Sequence, residues 1–131
     1  MNVTTIEQSK KLLELGLKSE TADMWYINGE GNPHIGNWGE NQHDWDDIPA
    51  WSLSALLQLA PKTIKDDISE CKLDLTPMEG KWSCAYVRCT NRHCAICNFY
   101  YEEPIDAVFE MFCWLLENKK NDQGARRKYQ E

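Results

Sequence analysis

Residues 104–118 constrain the fold of this chain more than any other segment. Pro104 suits a first helical turn, where its missing N–H would have had no partner in the helix. Behind it Ile105, Val108, Phe109, Phe112, Leu115 and Leu116 recur at three- and four-residue spacing, which makes one side of a helix continuously apolar. Such a face has to be covered, and the helix should end at Asn118 or Lys119. A second helix is predicted over 6–15. Thr4 and Glu7 form its capping box, and Gly16 closes its end so that Leu17 can fold back on the last turn. A third is predicted over 53–60, introduced by Pro49 and Ser52 and stopped by Pro61.

The remaining apolar pattern is that of strands. Met24-Trp25-Tyr26-Ile27 is aromatic and β-branched, and residues 71–75 alternate apolar with polar. Segments 82–88 and 93–101 complete an antiparallel meander, with a turn at 77–80. The expected class is therefore α+β: three helices packed on a small, mostly antiparallel sheet that contains the C-terminal meander. With 131 residues there is room for one core. A single domain is expected over 1–120, followed by a disordered charged tail over 121–131, where Tyr129 is the only large apolar side chain.

Charge and targeting narrow the function classes. The formal net charge is -7, from 21 acidic and 14 basic residues, which opposes binding to nucleic-acid phosphates or anionic lipid. Arg126-Arg127-Lys128 in the tail is too small a basic cluster to reverse that. The N-terminal residues lack the cationic start and apolar stretch of a secretion signal. The longest apolar run, residues 111–116, falls far short of the roughly 20 needed to cross a bilayer. A cytoplasmic protein without membrane association is expected, with reduced cysteines.

The cysteines offer the most familiar chemistry. Cys84, Cys89, Cys94 and Cys97, with His93 as a substitute ligand, are the residue types zinc selects. A single Cys-x-x-Cys knuckle is present where a ribbon-like site has two. Strand parity also disfavours convergence, since residues three apart in a strand face opposite ways. A tight turn at Thr90-Asn91 would set Cys84 across from Cys97 on one face and Cys94 across from Val87 on the other. Buried, unliganded thiols are thus the leading reading, with no cofactor, and a zinc-stabilised module is the alternative. Cys71 and Cys113 read as packing residues.

The segment 28–47 is rich in glycine and asparagine and carries Trp38, His43, Asp44 and Trp45. Indole rings and carboxylates on adaptable backbone suit recognition of another protein, and these four are the candidate partner-binding residues. The same tryptophans could instead pin the loop to the domain. A second alternative is a small enzyme with a His-carboxylate pair near His43, which would need a pocket around the imidazole. No phosphate-binding glycine loop, nucleophile elbow or His-Glu-x-x-His helix is present, so no catalytic residue is assigned.

Three phrases carry a resemblance. They are Lys11-Leu12-Leu13-Glu14-Leu15-Gly16-Leu17 with Thr21-Ala22-Asp23-Met24; Ile48-Pro49-Ala50-Trp51-Ser52-Leu53-Ser54-Ala55-Leu56-Leu57; and Pro104-Ile105-Asp106-Ala107-Val108-Phe109-Glu110-Met111 with Trp114-Leu115-Leu116-Glu117-Asn118. Together they resemble a family of small uncharacterised proteins encoded by phages and mobile elements of gut bacteria. The resemblance implies a bacterial cytoplasm and a non-enzymatic accessory protein that binds another protein. It implies no particular ligand or catalytic residue.

Overall fold

The computed structural model describes residues 2–65, 69–88 and 95–118. In chain order the elements are α1 (Ile6–Glu14), β1 (Met24–Tyr26), β2 (His34–Ile35), β3 (Ile48–Ala50), α2 (Leu53–Leu59), β4 (Thr63–Lys65), β5 (Glu70–Met78), β6 (Lys81–Arg88), β7 (Ala95–Tyr101) and α3 (Pro104–Glu117). The class is α+β as expected, with the strands divided between two antiparallel sheets, β4-β5-β6-β7 and β2-β1-β3.

The larger sheet is the predicted meander, lengthened by β4. Met78 pairs with Lys81, so Glu79 and Gly80 alone make the turn, both at positive φ (49° and 80°). This is the mirror-image turn whose twist suits a hairpin. Pro77 therefore lies inside β5, opposite Trp82. It is tolerated because β4 pairs only with residues 70–72, which leaves the other side of Pro77 without a ladder to interrupt.

Alternation decides which side of this sheet is covered. Leu73 and Leu75 of β5 pair with Tyr86 and Cys84 of β6, and these pair with Cys97 and Phe99 of β7. That face receives α3, which also packs on α2. Val108, Met111, Phe112 and Leu116 of α3 are fully or almost fully buried there with Leu12, Leu17, Leu56, Ile64 and Tyr86. The apolar stripe that dominated the sequence is thus matched by the apolar face of the meander. No helix among the described residues is long and apolar enough to cross a membrane.

The smaller sheet is anchored by Trp51 and Thr4. Trp51 is fully buried, its indole N–H donating to Thr21 Oγ1 at 2.9 Å. Thr4 donates its backbone N–H to Trp51 O at 2.9 Å and accepts the Trp51 backbone N–H on its hydroxyl at 3.0 Å. The N-cap of α1 is consequently Thr5, in a capping box with Gln8, rather than Thr4 with Glu7. Gly16, at φ 107°, closes α1 as expected, with Leu17 N–H donating to Leu12 O. The tail, 121–131, lies outside the described residues.

Candidate functional site

The segment between β1 and β3 is an ordered loop built around one aspartate. Asn28 and Gly29 turn the chain at φ 57° and 67°. A side chain on Gly29 would meet Ile48 Cδ1 at 3.0 Å and Asp46 O at 3.2 Å, so close packing as well as φ requires glycine there. At the far end, Asp47 Oδ1 accepts the Asn28 N–H at 2.9 Å and Oδ2 accepts the Asp44 N–H at 2.8 Å. The Asp47 N–H returns to Asp44 O at 3.1 Å. One carboxylate thus ties both ends of the loop and closes a turn over residues 44–47. The Asn28 N–H, above all, holds the Asp47 carboxyl below its ordinary range; burial works the other way, and the Asp44 N–H and His43 lower it further.

His43 fills the middle of the loop. Its ring stacks on Trp38 with centroids 3.5 Å apart and meets Trp25 edge-on at 4.6 Å. The His34 ring lies 6.0 Å from that of Trp25, tilted by 45°. Nε2 is 2.9 Å from Trp38 O, and since a carbonyl can only accept, Nε2 carries the proton. Nδ1 lies 3.6 Å from Asp47 Oδ2 and has no hydrogen-bond partner. Trp38 is half-buried against the core, its N–H donating to Ala22 O at 3.0 Å.

The four predicted partner-binding residues therefore separate into two pairs. Trp38 and His43 face each other inside the loop and hold its shape. Trp45 is 99% exposed, and Asp44 beside it is exposed as well. An open pocket of about 480 Å³ is bounded by Trp25, Ile27, Gln42, His43, Asp44 and Asp47. Sequence reasoning missed Trp25, Ile27 and Asp47. The signal for Trp25 was there in strand parity, which turns it away from the buried Tyr26, but an Asp47 that accepts from a residue 19 positions away leaves no local mark.

The pocket required by an enzyme at His43 is present, with Asp47 as the neighbouring carboxylate. Both ring nitrogens are directed at protein oxygens, however, and neither is aimed into the pocket opening as a free base would be.

Of the zinc candidates, Cys89, His93 and Cys94 lie outside the described residues. Cys84 and Cys97 share the core-facing side of the meander, but Cys84 pairs with Phe99 and Cys97 with Tyr86, so they are diagonal rather than opposite. The pairing also carries a register shift at Tyr86/Val87. Burial pushes the Cys84 thiol up to about 12, with Cys97 and Asp74 adding to the effect, and the Cys97 thiol up to about 11. A zinc ligand must be deprotonated, which those surroundings resist. Among the described residues no three His, Cys, Asp or Glu side chains converge on a metal position.

The chain matches no family model, no curated protein and no solved structure.

Proposed function

We propose that this chain is a non-enzymatic accessory protein that binds another protein through the turn at residues 44–47, with Trp45 as the anchor. The observation that carries the reading is the 99% exposure of Trp45 on a turn held by three hydrogen bonds. An indole held in water gives up roughly 25 cal/mol for each Å² of apolar surface later covered, and a preformed turn spares the entropy of ordering it on contact. Asp44 and Asp46 flank the ring, and the chain carries -7, so the partner surface is basic with a cleft for one aromatic side chain. The resemblance of residues 11–24, 48–57 and 104–118 to proteins of phages and mobile elements supplies the setting, a bacterial cytoplasm, and a regulatory or inhibitory role suits a small protein of that kind.

The test is affinity capture from bacterial lysate with wild type and Trp45→Ala in parallel, followed by calorimetry on the purified partner. Trp45→Ala should weaken binding about thirtyfold or more, the loss of a hot-spot side chain worth about 2 kcal/mol. Added salt should weaken it as well. A partner held equally well by both proteins would remove Trp45 from the interface and the reading with it.

A further inference from the structure

We propose that the basic surface met by Trp45 belongs to a second copy of this chain, whose groove between α2 and the β4–β5 ladder receives the indole; the assignment rests on the reading of the 44–47 turn just given. That reading asks for a basic surface with a cleft for one aromatic ring. The chain itself carries such a cleft, and Trp45, at 99% exposure, does not fill it. An exposed side chain held on one surface and a pocket elsewhere on the same molecule meet between copies.

The groove forms where the β4–β5 ladder stops. Thr63 pairs with Lys72, and one step beyond, the Leu73 N–H donates to Lys62 O at 2.9 Å. Leu57 of α2 and Leu73 of β5, both half-buried, then line an open groove of about 360 Å³ together with Lys62, Thr63 and Lys72. The connection from α2 is held by Tyr86, whose hydroxyl donates to Pro61 O at 2.7 Å. Small-molecule pockets run from roughly 300 to 1,000 Å³, so a groove of this size suits one aromatic ring.

Lysines near a short edge strand are ordinary protection against unwanted strand pairing. The half-buried leucines beside them make this a docking surface. No aspartate or glutamate is among the residues that bound the groove, although the chain carries -7 overall. The Trp45 turn has the opposite composition, an indole with exposed Asp44 before it and exposed Asp46 after it. Leucines and lysine stems offer the ring an apolar floor, while the ammonium groups stay in water where flanking carboxylates can meet them. Thr63 adds a hydroxyl that can accept the indole N–H.

The contact joins two different surfaces. If each ring reaches the other copy's groove, the pair closes about a two-fold axis; if not, copies add head to tail. Both arrangements use the same ring and the same groove. Two copies that each carry -7 repel one another at a distance, so the association is concentration-dependent. Salt screens that repulsion along with the local attraction, and substitution separates the two where ionic strength does not.

The experiment is sedimentation equilibrium of the full-length protein over a concentration series, for wild type, Trp45→Ala and the double variant Lys62→Glu/Lys72→Glu. All three altered side chains are exposed, and circular dichroism checks that each variant is folded. Wild type should self-associate. Trp45→Ala should weaken the association about thirtyfold, as loss of a hot-spot ring does, and the lysine reversal about tenfold. Mixed in equal amounts, the two variants should recover a heterodimer, because one brings an intact groove and the other an intact ring. Wild type still monomeric at about 1 mM would overturn the second copy as partner, and so would association indifferent to Trp45→Ala. Association that tolerates the lysine reversal would overturn the groove. Variants that associate no better in mixture than alone would overturn the pairing of ring with groove. The sample contains only copies of this chain, so its failure removes self-pairing and leaves the Trp45 turn to the foreign partner sought by capture.

Discussion

Thr4 and Thr5 are adjacent copies of one side chain, yet their surroundings give them unrelated tasks. Thr5 is exposed and caps α1. Thr4 is fully buried, where its hydroxyl accepts the Trp51 N–H and lies 2.8 Å from Ser9 Oγ. Thr4→Val keeps the shape and strands two buried polar groups, so it should cost about 1–3 kcal/mol, read by urea denaturation. A loss within about 0.5 kcal/mol would show that water reaches the site. Both Thr4-x-x-Glu7 and Thr5-x-x-Gln8 fit a capping box in sequence. The choice between them rests on Trp51, 47 residues downstream of Thr4, and no local pattern reveals it. Asp47 is a similar case. Its carboxyl is held below the ordinary range, so its stabilising effect is complete above the unfolded carboxylate pKa and is lost as pH falls through the lower, folded value. Asp47→Asn should remove that acid dependence. It should also speed amide exchange at Asn28 and Asp44; unchanged exchange at both would refute the tie.

Elements announced by long periodic patterns were legible, and those made by short pairings were not. α3, with its stripe of large apolar residues, spans Pro104–Glu117 much as its spacing predicts. β2 and β3 have two and three residues, and β3 contains Pro49, so neither carries enough alternation to register as a strand. They exist because β1 lies between them, and Pro49 is tolerated because β3 is an edge strand. The same difference explains why the exposed ring of Trp45 was recognisable as a candidate while its support was not. Indoles and carboxylates in a glycine-rich segment can be read directly, but the contact of His43 with both Trp38, on which it stacks, and Trp25, which it meets edge-on, depends on how β1 and the loop come together. In the β5–β6 hairpin, local chemistry is imperfect. Glu79 sits at φ 49°, a conformation asparagine adopts more readily, next to Gly80. Glu79→Asn should therefore stabilise the fold by about 0.5–1 kcal/mol in thermal or urea unfolding. A decrease would mean that the Glu79 side chain has contacts worth more than the turn preference.

At the scale of the whole molecule, one core gathers α1, α2, α3 and the inner face of the meander, and four of the described thiols pack in or against it. Cys71 of β5, Cys84 of β6 and Cys113 of α3 are buried in it, and Cys97 of β7 packs half-buried against it. Burial raises Cys84 and Cys113 to about 12 and Cys97 to about 11, against 9.0 for an ordinary thiol. The unfolded chain releases these protons first as pH rises. The thiols' contribution is therefore whole below about pH 9 and declines as pH climbs through the folded values near 11 and 12. Alkaline loss of stability should be shared among three positions on three elements, so no single Cys→Ala substitution abolishes it. At neutral pH the same burial keeps Cys84 and Cys113 protonated and covered, which removes the nucleophile that alkylating reagents require. Mass-spectrometric mapping after iodoacetamide treatment should find Cys84 and Cys113 unmodified in the folded protein and labelled after urea unfolding, with labelling following the equilibrium population of open molecules. If Cys84 labelled as fast in the folded as in the unfolded chain, the meander and α3 would have to separate locally, and the core could not be the single cooperative unit that holds the Trp45 loop in place.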